Sequence, residues 1–304
     1  MKSFVGRYQV GIFFALTFII SWFPWYAGIA PEVLAWGPSV AAFIIVIYIG
    51  GKRGLLDFLR PFGHWRVGIK YWGIAIFGPA VLFLIGLGVY LLLGGEAPPF
   101  TMIRTELHLI PLYLVLVVLM PWHGPVGEEF GWRGFALPKL QNKYGPLIAS
   151  LVIGTVWGVW HLPEFFAPLG VLGALASSMG VVSFMLVYTL GTIANSVYMT
   201  WLYNKTGASA LVAGIVWHAA IDFWAPPLLS DSSLVAAGEG THLPTIAQPL
   251  YLMVLAVLVV GAILLTLVTR GRLAYVENVR HENRVEVLPT GTPDNSVRSD
   301  SLTR

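Results

Sequence analysis

Two adjacent carboxylates, Glu128 and Glu129, precede an arginine, Arg133, in the stretch GEEFGWRGFALPKL. The segments on either side are strongly apolar and almost free of ionisable residues. Because charges between membrane-grade segments are costly to bury, these three residues are candidates for function. The i, i+4 spacing predicts that Glu129 and Arg133 pair on one helix face. Glu128 is then turned about 100° away and can meet a different partner.

Two histidines on other predicted helices could reach the same layer as Glu128. At about 1.5 Å per residue, Glu128 and His161 each lie roughly 24 Å from the turn that joins their helices. His218 and Asp222 are spaced i, i+4, and lie about 15 and 21 Å along a third helix that starts near Ala208. We therefore expect a glutamate, two histidines and an aspartate to converge from three helices.

Two chemistries suit this set, and both describe peptide-bond hydrolysis inside a membrane. In the first, Glu128 is a general base that activates water, a histidine orients it, and His218 with Asp222 stabilises the oxyanion. In the second, His161 and His218 bind a divalent metal such as zinc together with a carboxylate. The sequence contains no HExxH motif, so a metal site would have to assemble in space.

Structural roles compete with these functions. Glu129 with Arg133 could be an ion pair only, and His218 with Asp222 could be an interhelical polar clamp. Trp157 shares a face with His161 and is expected mainly to pack. Asn195 is expected to form a helix–helix hydrogen bond. The other histidines lie in or near connections and are weaker candidates: His64, His108, His123, His242 and His281.

The composition is that of a membrane protein. Of the 304 residues, 57% are hydrophobic and 11% are charged, whereas soluble domains carry about 25% charged residues. The absence of cysteine excludes disulfides, thiolate metal sites and a cysteine nucleophile. Runs of about 20 apolar residues predict an all-α polytopic transmembrane bundle of about eight spans. Their approximate bounds are 9–29, 32–49, 71–93, 107 into the acidic stretch, 147–161, 172–203, 208–224 (closed by Pro226 and Pro227) and 246–269.

These spans divide the chain into three parts. Residues 1–106 form N-terminal transmembrane helices with a basic, amphipathic connection, 51–70, that is typical of an interfacial segment. Residues 107–269 carry the candidate site and the last span. Residues 270–304 are predicted to be a disordered, polar tail. Lys and Arg concentrate in alternate connections, which predicts a multi-pass cell-membrane protein with both termini in the cytoplasm.

Three ordered motifs resemble those of the CAAX protease and bacteriocin-processing (CPBP) family, which includes the type II CAAX prenyl endopeptidases and the Abi proteins. EExxxR matches Glu128 to Arg133, an aromatic residue four before His matches Trp157 and His161, and HxxxN/D matches His218 and Asp222. The resemblance covers roughly 115–224. Trp157 stands where Phe is usual, and Asp222 where Asn is frequent.

The resemblance implies an intramembrane peptidase in which Glu128 activates water and His161, His218 and Asp222 assist it. Its partners would be membrane lipid and a membrane-associated or lipidated protein or peptide substrate; no nucleic-acid partner is predicted. Two other functions stay open on the residues alone. One is a transporter that uses the buried carboxylates as a proton relay. The other is a catalytically silent scaffold or immunity protein.

Overall fold

All regular elements of the described residues are helices, which confirms the predicted all-α membrane bundle. The computed structural model describes residues 2–30, 33–119, 124–167, 171–231 and 246–276. The α-helices are Lys2–Tyr26 (α1), Gly37–Gly63 (α2), Ile69–Leu92 (α3), Thr101–Thr105 (α4), Ile110–Leu119 (α5), Pro125–Glu129 (α6), Leu137–Tyr144 (α7), Pro146–Trp160 (α8), Val171–Met179 (α9), Val181–Lys205 (α10), Trp217–Leu229 (α11) and Gln248–Val268 (α12). Short 3₁₀ helices cover Leu107–Leu109 and Leu162–Phe166, and π-helical turns cover Phe130–Ala136 and Leu211–Val216.

Seven helices in the described part of the chain are long and apolar enough to cross a membrane, one fewer than the eight predicted spans. The difference lies in the fourth span. Its apolar part, Leu107–Val118, is short, and a separate helical stretch from Pro125 to Tyr144 carries the acidic pair. That second stretch holds five charged residues. Because of these charges, the stretch is not one of the seven apolar helices, although it is as long as a membrane span.

Glycines divide one long helix and one predicted span. Gly51 interrupts α2 with φ +54°, so the basic segment that follows it forms a separate helical piece. Gly180, with φ +82°, separates α9 from α10 where one long span was predicted. These left-handed conformations are accessible to glycine because it has no Cβ.

The seventh span was predicted to close at Pro226 and Pro227, and this was wrong, because α11 continues to Leu229. Pro226 has no N–H to donate to the carbonyl of Asp222 four residues earlier. The Tyr113 hydroxyl donates to that carbonyl instead, at 2.8 Å. A neighbouring helix thus satisfies the freed backbone group, which is the condition under which proline is tolerated within membrane helices.

Glycines also set how closely the helices around the acidic pair approach each other. A Cβ on Gly131 would lie 2.5 Å from the Cβ of Pro38 in α2, and one on Gly154 would lie 2.5 Å from the Cα of Ile193 in α10. Small residues at such crossings are typical of membrane helix packing. The acidic stretch therefore lies directly against α2, and α8 lies directly against α10.

The predicted tail does not separate from the bundle at Arg270. Leu273 is fully buried, and its carbonyl accepts a hydrogen bond of 3.0 Å from the Asn204 side chain. The Tyr275 hydroxyl donates to the Asn142 side chain at 2.7 Å. The chain thus contacts the bundle up to Tyr275, and residues 277–304 of the predicted tail lie outside the described residues.

Candidate active site

Glu129 is the centre of a buried ionic network. Its Oε1 accepts hydrogen bonds from Arg133 at 2.9 Å and from His218 Nδ1 at 2.8 Å. The first contact confirms the predicted i, i+4 pair. The second joins the helix of the acidic stretch to α11, which sequence reasoning had not anticipated. Glu129 and Arg133 have no exposed surface, so they act as a fixed support behind the site.

His218 lies between two carboxylates. Its Nδ1 faces Glu129, and its Nε2 is 3.5 Å from Oδ2 of Asp222, the partner predicted from the spacing on one helix. A neutral imidazole has one N–H to donate, whereas an imidazolium has two. The arrangement therefore suits a positively charged ring held between two acids.

Glu128 is held by two indoles. Its Oε2 accepts hydrogen bonds from Trp157 Nε1 at 2.7 Å and from Trp132 Nε1 at 3.2 Å. The sequence predicts that Trp157 mainly packs, whereas its indole donates a hydrogen bond to this carboxylate. Trp132 was missed, although it is four residues after Glu128 and so shares its face, by the same rule that paired Glu129 with Arg133.

His161 lines the cavity and is hydrogen-bonded through one ring nitrogen to the chain. Its Nδ1 is 2.8 Å from the carbonyl of Trp157. Because a carbonyl only accepts hydrogen bonds, Nδ1 carries the proton, and in the neutral ring Nε2 is the acceptor. His161 is only 7% exposed, and its ring packs 5.1 Å from that of Tyr188. It is thus a buried residue of the bundle.

The four residues that were predicted to converge line one cavity of about 610 Å³, together with Trp157; they are Glu128, His161, His218 and Asp222. Glu129 and Arg133 are not among its lining residues. Most of the other lining side chains are apolar. The two antiparallel helices bring Glu128 level with Trp157, one helical turn before His161. The depth predicted for Glu128 and His161 along their helices is therefore correct to within about one turn.

Both helices that carry the acidic pair and His218 contain a π-helical turn, Phe130–Ala136 and Leu211–Val216. Such turns are rare and often occur at functional sites. In the second turn, a Cβ on Gly214 would lie 3.1 Å from Oε2 of Glu129. The glycine therefore lets the seventh span approach closely enough for His218 to reach Glu129.

The predicted metal ligands do not form a coordination set in the described residues. No group of three or more His, Asp or Glu side chains there could hold an ion, whereas zinc sites use at least three protein ligands. Both nitrogens of His218 face carboxylates. The residues present thus do not fit the zinc site that His161 and His218 were predicted to share.

Asn195 has the predicted role, since its Oδ1 accepts a hydrogen bond of 3.3 Å from Trp217 and joins α10 to α11. Of the weaker histidine candidates, His64 and His108 do not line the cavity. His123, His242 and His281 lie outside the described residues.

Comparison with known proteins matches residues 110–224 to a family described as type II CAAX prenyl endopeptidase Rce1-like. A protein of Methanococcus maripaludis named CAAX prenyl protease 2 is 21% identical over 236 residues, which cover 71% of this chain and 83% of that protein. Lysostaphin resistance protein A of Staphylococcus haemolyticus is 23% identical over 198 residues, 64% of this chain and 48% of that protein. The family match contains all six candidate site residues.

Proposed function

Because the chain belongs to the CAAX protease (CPBP) family, we propose that it is an intramembrane endopeptidase in which Glu128 activates the attacking water. The observation that carries this role is the position of Glu128. It is 3% exposed, lines the cavity, and has one carboxylate oxygen fixed by two indole N–H groups. Its other oxygen can then take a proton from a water molecule in the cavity.

In the proposed reaction, the water oxygen attacks the carbonyl carbon of the scissile bond as Glu128 accepts its proton. The carbonyl oxygen becomes an oxyanion. The proton then passes to the amide nitrogen, the C–N bond breaks, and a carboxylic acid and an amine leave. Each step uses groups that line the cavity, and atoms and charges balance without a further reactant.

The two histidines divide the remaining work. His161, whose Nδ1 is bonded to a carbonyl, lines the cavity and orients the water. His218 places positive charge near the oxyanion, because Glu129 and Asp222 hold the ring between them. Glu129 and Arg133 are positioning residues, since they act through His218 and do not reach the cavity.

The substrate is proposed to be a membrane-associated or lipidated protein. A cavity with mostly apolar walls suits a lipid chain or an apolar peptide segment better than a soluble peptide. One relative is named a CAAX prenyl protease, and C-terminal CAAX sequences are sites of prenylation. Cleavage near a lipidated terminus is therefore the first activity to test.

The test compares protein termini in membranes of cells that express the wild type, Glu128→Gln or Glu96→Gln at equal levels. Glutamine keeps an oxygen for the indoles but cannot act as the base, so we expect cleavage to fall about 10²–10⁴-fold. Glu96 is exposed and outside the cavity, so its variant should match the wild type. Mass spectrometry would identify termini that require Glu128.

Identical termini in all three strains, with each protein correctly inserted, would reject proteolysis in favour of a transporter or a silent scaffold.

Repeating the cleavage with a chelator examines the metal hypothesis. Since the described residues do not fit a metal site, we expect activity to persist. Loss of activity that zinc restores would contradict the metal-free mechanism.

A further inference from the structure

A second cavity, of about 360 Å³, shares no lining residue with the candidate active site. Its wall is formed by α1, by both pieces of α2, by the acidic stretch and by the end of α10. Most of the lining residues are apolar or glycine, and the four with polar side chains are Gln9, Asp57, Lys139 and Tyr203. The proposed hydrolysis uses none of these four, so it does not explain the cavity.

The cavity lies where the basic second piece of α2 packs beside the acidic stretch. The turn at Gly51 brings that piece close to the first one, because a Cβ on Gly54 would lie 3.2 Å from the carbonyl oxygen of Val46. On the opposite side, a Cβ on Gly134 would lie 2.6 Å from the ring of Phe62. The wall is therefore fixed by close backbone packing on two sides.

Two donors of this cavity have no polar partner among the described residues. The Lys139 ammonium lies 3.9 Å from the centre of the Phe135 ring and forms no ion pair in that part of the chain. Tyr203 is only 3% exposed, and its hydroxyl forms no hydrogen bond there. Because buried polar groups are nearly always hydrogen-bonded, an ammonium and a hydroxyl that line one cavity without partners indicate a bound acceptor.

The other two polar side chains of the cavity already have partners. The Gln9 side chain donates to the carbonyl of Gly6 at 3.1 Å. Asp57, the one acid among the lining residues, is paired with Arg60 at 3.2 Å. The negative charge of the wall is thus compensated by Arg60, and the charge of Lys139 is left for a ligand. An ammonium and a hydroxyl together suit an anion with several oxygens.

The cavity lies at the end of the bundle that carries the basic connections. Lys139 is five residues before the end of α7, which is about 7.5 Å along the helix. Tyr203 is two residues before Lys205, the last residue of α10. Lys52 and Arg53 are exposed on the second piece of α2, whose other residues line the cavity. Basic pockets between membrane helices at such a surface attract anionic headgroups.

We propose that this cavity binds the headgroup phosphate of an anionic phospholipid. Lys139 pairs with the phosphate, Tyr203 donates to one of its oxygens, and the apolar wall contacts the adjoining part of the lipid. A zwitterionic headgroup fits less well, because its own cation is repelled by Lys139. A lipid fits better than a soluble anion, because most of the wall is apolar and the cavity lies beside a segment typical of the membrane interface. This inference is independent of the proposed hydrolysis.

The experiment uses the purified full chain and native mass spectrometry, which counts the lipids bound to each protein molecule. Phosphatidylglycerol or phosphatidylcholine is titrated onto the wild type and four variants: Lys139→Gln, Lys139→Arg, Tyr203→Phe and the control Lys143→Gln. Lys143 is on the same helix as Lys139, but it is exposed and does not line the cavity.

We expect the wild type to bind one phosphatidylglycerol about tenfold more tightly than phosphatidylcholine, because charge-assisted hydrogen bonds are about twice as strong as neutral ones. Lys139→Gln should lose this preference and Tyr203→Phe should reduce it. Lys139→Arg and Lys143→Gln should keep it, since the first retains the charge in the cavity and the second alters a charge outside it.

Equal affinity of the wild type for both lipids would overturn the proposal. So would an equal loss of phosphatidylglycerol binding in Lys139→Gln and Lys143→Gln, which would indicate diffuse surface charge. Inorganic phosphate is added to the lipid-free protein in a separate arm. If the wild type retains it as tightly as phosphatidylglycerol and Lys139→Gln does not, the cavity is a site for a soluble anion. Thermal unfolding shows whether each variant is folded. If Lys139→Gln is not, unchanged phosphatidylglycerol binding by Tyr203→Phe would reject the site.

Discussion

At the scale of single residues, the two indoles on Glu128 are the feature that distinguishes this site. A carboxylate buried without partners would be unstable, and here the hydrogen bonds from Trp132 and Trp157 compensate it. They also engage one oxygen only, which leaves the other for water. The matching motif has an aromatic residue at position 157. Tryptophan can donate this hydrogen bond, whereas phenylalanine cannot.

Trp157→Phe is expected to lower kcat about tenfold or more with a small change in KM. Hydrogen bonds to charged groups contribute about 1.5–3 kcal/mol, and loss of this one frees the carboxylate to leave its reactive orientation. The matched control is Trp160→Phe, which makes the same change in size three residues away. Among the described residues the Trp160 indole N–H has no hydrogen-bond partner. Equal loss of kcat in both variants would assign the effect to packing.

At the scale of elements, the site depends on how closely the acidic stretch lies against α2. Gly127, Gly131 and Gly134 all face that region, and a Cβ on any of them would come within 3.0 Å of another side chain or backbone atom. The π-helical turn that includes Gly131 and Gly134 then carries Arg133 and Trp132. Close packing thus orients the residues that hold both glutamates.

Gly131→Ala is expected to destabilise the protein by roughly 1–3 kcal/mol, because the added methyl group meets the backbone of Pro38, which cannot move aside easily. Thermal unfolding of the detergent-solubilised protein measures this. Gly11→Ala is the control, since its Cβ would meet no atom within 4 Å and alanine favours a helix. A melting temperature for Gly131→Ala equal to that of the wild type would show that the contact can relax.

At the scale of the whole molecule, the connections rich in Lys and Arg are joined by hydrogen bonds at one end of the bundle. Ser209 donates to the carbonyl of His64, which links the basic connection after α2 to the connection after α10. Tyr275 bonds Asn142, and Asn204 bonds the chain just after α12. These are the connections that the positive-inside rule assigns to the cytoplasm.

We therefore expect Lys143→Cys and Arg272→Cys to be labelled by a membrane-impermeant maleimide only after the cells are permeabilised. Glu96→Cys, in an opposite connection, should react in intact cells. All three positions are exposed, and the chain has no cysteine of its own to give background labelling. Labelling of Lys143→Cys and Glu96→Cys from the same side would contradict the predicted topology.

The sequence by itself determined the helical membrane class, the ordered motifs and the Glu129–Arg133 pair, because each depends on local composition or on spacing within one helix. Only the tertiary structure decided that His218 binds Glu129 and that tryptophans hold Glu128. The His218–Glu129 contact joins residues 89 positions apart. It depends on the π-helical turn Leu211–Val216, which shifts the register of the side chains that follow it, and on the close approach at Gly214. Counting along one helix cannot locate a partner on another helix, so the His218–Glu129 and Trp157–Glu128 contacts follow from packing.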